Sequence, residues 1–184
     1  MERLNPAARS DRYGNRINRV QSPLRASVVP YATILFGSLL PFLVLSDVMP
    51  LVPPLGFMML LGWRMMRPGL LPLWVGALLG GFDDLFSGQP FGSGILLWSL
   101  TMIALEAVET RFPWRGFWQD WFTAGLAIIL YLVAAMLLSG APTTFPQITA
   151  LIPQLLLSVM LYPLLSRIVA GLDRFRLSRA RRIG

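Results

Sequence analysis

The stretch FTAGLAIILYLVAAMLLS, residues 122–139, carries neither charge nor proline. It constrains the fold more than any motif does. A helix needs about 20 apolar residues to cross the hydrocarbon core of a bilayer, and this run comes close to that unaided. The rest of the chain agrees with it: of 184 residues 55% are hydrophobic and 14% charged, with a mean hydropathy of +0.61. That is the composition of an integral membrane protein.

Cutting the sequence at its charged and Pro/Gly-rich points predicts six apolar segments, over residues 28–46, 53–63, 69–86, 92–109, 122–139 and 148–172. Pro153 and Pro163 are expected to kink the last. Arginine placement tests this count independently, because cytoplasmic loops carry the positive charge. All sixteen basic residues are arginine. Six precede the first segment, and Arg64 and Arg67 fall between the second and third. Arg111 and Arg115 fall between the fourth and fifth, and the remaining six, from Arg167 onward, lie at or after the end of the sixth. The alternate loops, over residues 47–53, 87–92 and 140–147, contain none. The fold class expected is therefore all-α: a polytopic bundle of six transmembrane helices with both termini cytoplasmic.

Residues 1–27 read as a disordered basic cytoplasmic arm rather than a cleaved leader. The polar part is too long, the apolar run after it exceeds a signal-peptide core, and no clean small-residue cleavage site follows. Residues 28–172 form the membrane domain, and residues 173–184 a basic cytoplasmic tail that either stays solvated or extends the sixth helix along the inner leaflet.

Cysteine and histidine are both absent, which removes disulfides, thiol nucleophiles, the common zinc and haem ligands and the usual general base. Catalysis would have to run on carboxylates, hydroxyls or arginine, and no catalytic residue, metal, cofactor or nucleic-acid partner is expected. In the inner-loop stretch ETRFPWRGFWQDW and just before it, Glu106, Glu109 and Asp120 read as interfacial ion pairs beside Arg111 and Arg115. The aromatic residues there form the belt found at membrane boundaries, or alternatively a docking site for a partner.

One stretch resists this apolar description. GALLGGFDDLFSG, residues 76–88, puts Asp83 and Asp84 near the outer end of the third segment, far in sequence from any arginine. Carboxylates inside a membrane segment are costly unless they face protein or water, so a functional role is the first hypothesis. At a helix C-terminus they also meet the unfavourable end of the macrodipole. Successive helical side chains diverge by about 100°, so one aspartate is expected to face the bundle and the other water or a partner. Gly76, Gly80 and Asp84 recur every four residues, with Gly81 beside them, a spacing that lets a second helix approach closely. That phasing puts Asp84 on the packed seam. The competing reading has both carboxylates simply accepting hydrogen bonds from the following turn. A proton relay lacks the ionisable chain it needs, whereas Phe82, Phe86, Phe91 and Trp98 offer either ordinary packing or a pocket for a small organic molecule.

The helix WVGALLGGFDDLF, its turn SGQPFG and the apolar GILLWSL after it resemble the MreD family, the integral membrane subunit of the bacterial rod-shape system. The matching positions are Gly80, Gly81, Asp83 or Asp84, Gly88, Pro90 and Gly92. The resemblance implies a non-enzymatic scaffold of the inner membrane in lateral peptidoglycan synthesis. Its implied partners are an MreC-like protein, a RodA-type glycosyltransferase with its penicillin-binding transpeptidase, the MreB filament and membrane lipid. It also implies a six-helix fold similar to the substrate-binding subunits of energy-coupling-factor vitamin transporters, which supplies the rival function. On the scaffold reading the residues expected to meet a partner are Gly76, Gly80, Gly81, Asp83, Asp84, Gly88, Pro90 and Gly92; on the rival reading the two aspartates would be ligand contacts.

Overall fold

The computed structural model of the protein describes residues 23–44, 52–112, 116–140 and 145–177. The first 22 residues of the basic arm and residues 178–184 of the tail lie outside the described residues, as do residues 45–51 and 141–144, which hold most of the outer loop predicted over 47–53 and part of that predicted over 140–147, and residues 113–115 with Arg115. The described residues form six helices: α1 Pro23–Val44, α2 Leu55–Met66, α3 Val75–Asp84, α4 Ser93–Arg111, α5 Phe117–Leu138 and α6 Phe145–Arg176. Three of them are long and apolar enough to cross a membrane: Ser93–Arg111, Phe117–Leu138 and the Leu151–Arg176 part of α6.

The six predicted segments each contain a helix, but three fall short of a span by length or composition: α1, whose apolar part runs Ser27–Leu43, and α2 and α3. α2 and α3, of 12 and 10 residues, reach about 18 and 15 Å at 1.5 Å per residue, against roughly 30 Å of hydrocarbon. The third segment, predicted over residues 69–86, becomes helical only at Val75. The Pro68–Gly69 turn, where Gly69 takes φ +81°, and Pro72 hold residues 67–74 in bends, while Leu71 still reaches the core. α5 begins earlier than predicted, at Phe117, where the Gly116 N–H donates to Gln119 Oε1 at 3.1 Å and caps the first turn. α6 extends past both predicted limits and runs unbroken through Pro153 and Pro163. A proline inside a helix deprives the carbonyl four residues earlier of its donor, and at Val159 the Trp121 indole N–H donates to that carbonyl at 3.2 Å. The proline is thereby turned into a docking point for α5.

α2 sits at the centre. Its sequence LGFMMLLGWRMM has no polar stripe, and a helix apolar all round has to be surrounded. Phe57, Met58, Leu60, Leu61 and Trp63 are fully buried against α1, α5 and α6. Close backbone approach lets this happen: Gly56 packs on Gly37 and Ser38 of α1, leaving no room for a side chain. α3 packs along α4 through Gly76, Gly80 and Gly94. Large apolar side chains cover the outside, with Leu96, Leu100 and Ile103 on α4, Leu126 and Leu130 on α5, and Met160 on α6 all exposed. Water would oppose such a continuous surface, but lipid does not.

Candidate functional site

The two ends of the bundle differ in chemistry. At one end Asp83, Asp84, Ser38, Gln89 and Gln154 gather; at the other, Arg64, Arg67 and Arg176 meet Glu106, Glu109 and Asp173.

At the aspartate end Asp84 is buried, 6% exposed, and closes the start of α4. Its Oδ1 accepts from the Gly94 N–H at 2.7 Å and the Ser93 hydroxyl at 3.3 Å, and its Oδ2 from the Gly92 N–H at 2.8 Å and the Ile95 N–H at 3.3 Å. These are the donors that a helix N-terminus leaves without intrahelical partners. The sequence reading assigned this carboxylate an unfavourable dipole, that of its own helix. In space it lies on the N-terminus of the next one, where an anion is stabilised. Gly94 has to be glycine, since a Cβ there would stand 2.6 Å from Asp84 Oδ1.

The glycine seam exists, and its partner is internal. Gly76 lies under Trp98, Ser99 and Met102, Gly80 lies on the Gly94 carbonyl, and Gly81 faces Ile95. All of these belong to α4, so the face marked by Gly76, Gly80 and Asp84 is filled by the chain itself. What remains open is the turn after it. Gly88 and Gly92 take φ +68° and +103°, conformations that glycine adopts freely. Between them Pro90 and Phe91 project outward, Phe91 being 71% exposed.

Asp83, one residue back, points elsewhere but also inward. It lines a cavity of about 110 Å³ with Ser38, Ser87, Gln89, Tyr131 and Gln154. The Ser38 hydroxyl is buried beside it without a hydrogen bond of good geometry. Tyr131 is held by stacking on Phe57 at 4.1 Å between ring centroids, and Gln154 by donating to the Val52 carbonyl at 2.7 Å. The space admits a few waters and falls below the roughly 300–1,000 Å³ of ordinary ligand pockets. The expectation of one inward and one outward aspartate is therefore corrected: α3 has α4 on one side and α1, α2 and α5 near the other, so both residues face protein.

The rings picked out from sequence do not form one pocket. Trp98 is in the core against Phe57, Phe82 packs on Phe86, Phe86 on Phe42, and Phe91 stands apart. Of the acidic residues read as ion-paired at the inner loop, Glu106 and Glu109 form ion pairs, with a partner the sequence reading missed. Arg64, 1% exposed, binds Glu106 and, at 2.8 Å, Glu109. Beside it Asp173 accepts from Arg67 at 2.9 Å and Arg176 at 2.7 Å, and the Arg176 guanidinium lies 5.3 Å over the Trp63 ring. These three cations meet three carboxylates among the described residues, which offsets the cost of burying their charges. Among the described residues no three acidic side chains converge as metal ligands do.

Fold and site together define a helical membrane protein with a capped acidic end and an arginine end that carries ion pairs. No family model matches the chain, and neither does any curated protein or solved structure.

Proposed function

We propose that the protein is a non-enzymatic, multi-pass scaffold of the bacterial cytoplasmic membrane, acting in the rod-shape complex that builds the lateral wall. In this reading both termini and the arginine end are cytoplasmic, and the aspartate end faces outward. The two short helices complete their crossings with the irregular residues 52–54 and 67–74, backbone that is tolerated at membrane depth where protein shelters it. The partners are an MreC-like protein and a RodA-type glycosyltransferase with its transpeptidase, with the MreB filament reached directly or through them.

One observation carries the reading. The outer turn, residues 85–92, is held at its start by the Phe86 and Ser87 N–H groups on the Asp83 carbonyl and at its end by the Asp84 carboxylate on Gly92, yet it presents Leu85, Pro90 and Phe91 to the outside. A rigid apolar projection suits capture of a partner's transmembrane helix or periplasmic stem, because little ordering entropy remains to be lost on binding. The resemblance of this helix and turn to the MreD pattern supports the same conclusion. The vitamin-transporter reading is less favoured, since the cavity on Asp83, at about 110 Å³, is too small for a vitamin-sized ligand.

The test is replacement of the protein in its host by the Pro90→Ser/Phe91→Ser variant. Wild-type membrane levels together with loss of constant cell width are expected. Normal rods at wild-type levels of the variant would contradict the proposal.

A further inference from the structure

The cavity beneath the outer turn is the place where four parts of the chain bring oxygen atoms together. Ser38 comes from α1, Asp83 from α3, Ser87 from the turn and Gln154 from α6, and all four line the same space of about 110 Å³. Two of these groups lack a partner. Ser38 is only 7% exposed, and its hydroxyl and that of Ser87 are buried without a hydrogen bond, which native proteins avoid unless a water or an ion completes the group. Gly56 of α2 makes room for the first, since a Cβ there would collide with Ser38 Oγ. Gln154 gives its N–H to the Val52 carbonyl, which leaves the amide oxygen for the cavity. The other polar residues of the wall are held on neighbours, Tyr131 on Phe57 and Gln89 on Ser93.

Charge decides what completes such a site. Asp84 is engaged at the start of α4, and among the described residues no arginine lines the cavity. Asp83 is therefore one half-buried carboxylate among neutral oxygens. Water would satisfy the hydroxyls but would not offset the charge. A divalent ion is ordinarily held by more than one carboxylate, and here it would leave an excess positive charge. Transition metals favour nitrogen and sulfur ligands, and the chain has neither histidine nor cysteine. A singly charged hard cation balances the site as it stands.

We propose that this cavity binds one alkali-metal ion, sodium or potassium, through the Asp83 carboxylate, the Ser38 and Ser87 hydroxyls and the Gln154 amide oxygen, with water completing the shell. The ion ties α1, α6 and the base of the outer turn to α3, so its binding registers as stability. The site stands whichever partner the turn engages.

Thermal unfolding of the full-length protein in detergent tests it, in sodium or potassium chloride against N-methyl-D-glucamine chloride of equal ionic strength. A pH of about 8 keeps ordinary carboxylates ionised. A saturable rise in unfolding temperature with one or both alkali ions is expected, and the half-saturating concentrations rank the two. Asp83→Asn should unfold close to the wild type in alkali-free buffer and lose the rise. Ser38→Ala should keep the rise but need about tenfold more salt for half-saturation, the effect of one ligand lost. Asp84→Asn, which alters the cap and not this cavity, should unfold earlier yet keep the full rise. No alkali-dependent rise in the wild type, or one that survives Asp83→Asn, overturns the site. A rise with magnesium chloride and none with either alkali ion overturns the charge assignment.

Discussion

Two adjacent aspartates have different work because a helix turns about 100° between them. Asp84 is a structural cap on α4, and Asp83 is the polar floor beneath the outer turn. Replacing Asp84 by leucine leaves the buried Gly94 donor and its neighbours unsatisfied, at about 1–3 kcal/mol each. The predicted loss of stability in Asp84→Leu is therefore about 2–4 kcal/mol, read from thermal unfolding in detergent by circular dichroism. Asp84→Asn keeps one acceptor and should lose less. Asp83→Asn, with room and hydroxyls around it, should change stability by under about 1 kcal/mol. Equal losses at the two positions would remove the distinction. The sequence marked the pair as unusual but could not divide the roles, since the donors that satisfy Asp84 come from Gly92 and Gly94, across a turn whose path no periodicity predicts.

At the scale of elements, α2 and the arginine end depend on each other. Arg64 ends a helix apolar all round, so the guanidinium is buried wherever α2 is buried, and Glu106 and Glu109 are the groups that make this tolerable. Arg64→Met removes the cation that Glu106 and Glu109 share and is predicted to destabilise the fold by about 3–5 kcal/mol. Adding Glu106→Gln and Glu109→Gln to Arg64→Met should restore much of that loss, because the uncompensated charge is then gone. A triple variant no more stable than Arg64→Met would show that packing, not charge, holds this end. Glu106 and Glu109 were legible as ion-paired residues; their partner was not, because the nearer arginines in sequence, Arg111 and Arg115, were the obvious candidates. Asp173 escaped notice for a related reason: in sequence it belongs to a basic tail, and only the continuation of α6 through Arg176 brings it to Arg67.

For the molecule as a whole, helix number and the sorting of charge between the ends were legible, because hydrophobic runs and arginine placement are global signals. The half-length of α3 was not. Its flank, residues 69–74, is as apolar as a helix, and the Pro68–Gly69 turn with Pro72 overrides the hydropathy. The lack of cysteine makes the proposed topology directly testable. Phe91→Cys should react in intact cells with a membrane-impermeant maleimide, and Thr110→Cys only after the membrane is opened. Labelling of both from outside would contradict cytoplasmic placement of the arginine end.

The central claim is that the outer turn holds wall-synthesis partners. Its most direct test is affinity purification of the tagged protein from its native membrane in mild detergent, comparing wild type with the Pro90→Ser/Phe91→Ser and Asp83→Asn variants. Recovery of MreC-like and wall-polymerase proteins by the wild type, strongly reduced in the turn variant at equal membrane levels, is the predicted result. Recovery of an ATPase pair with its coupling membrane subunit would contradict the account and assign the fold to vitamin uptake.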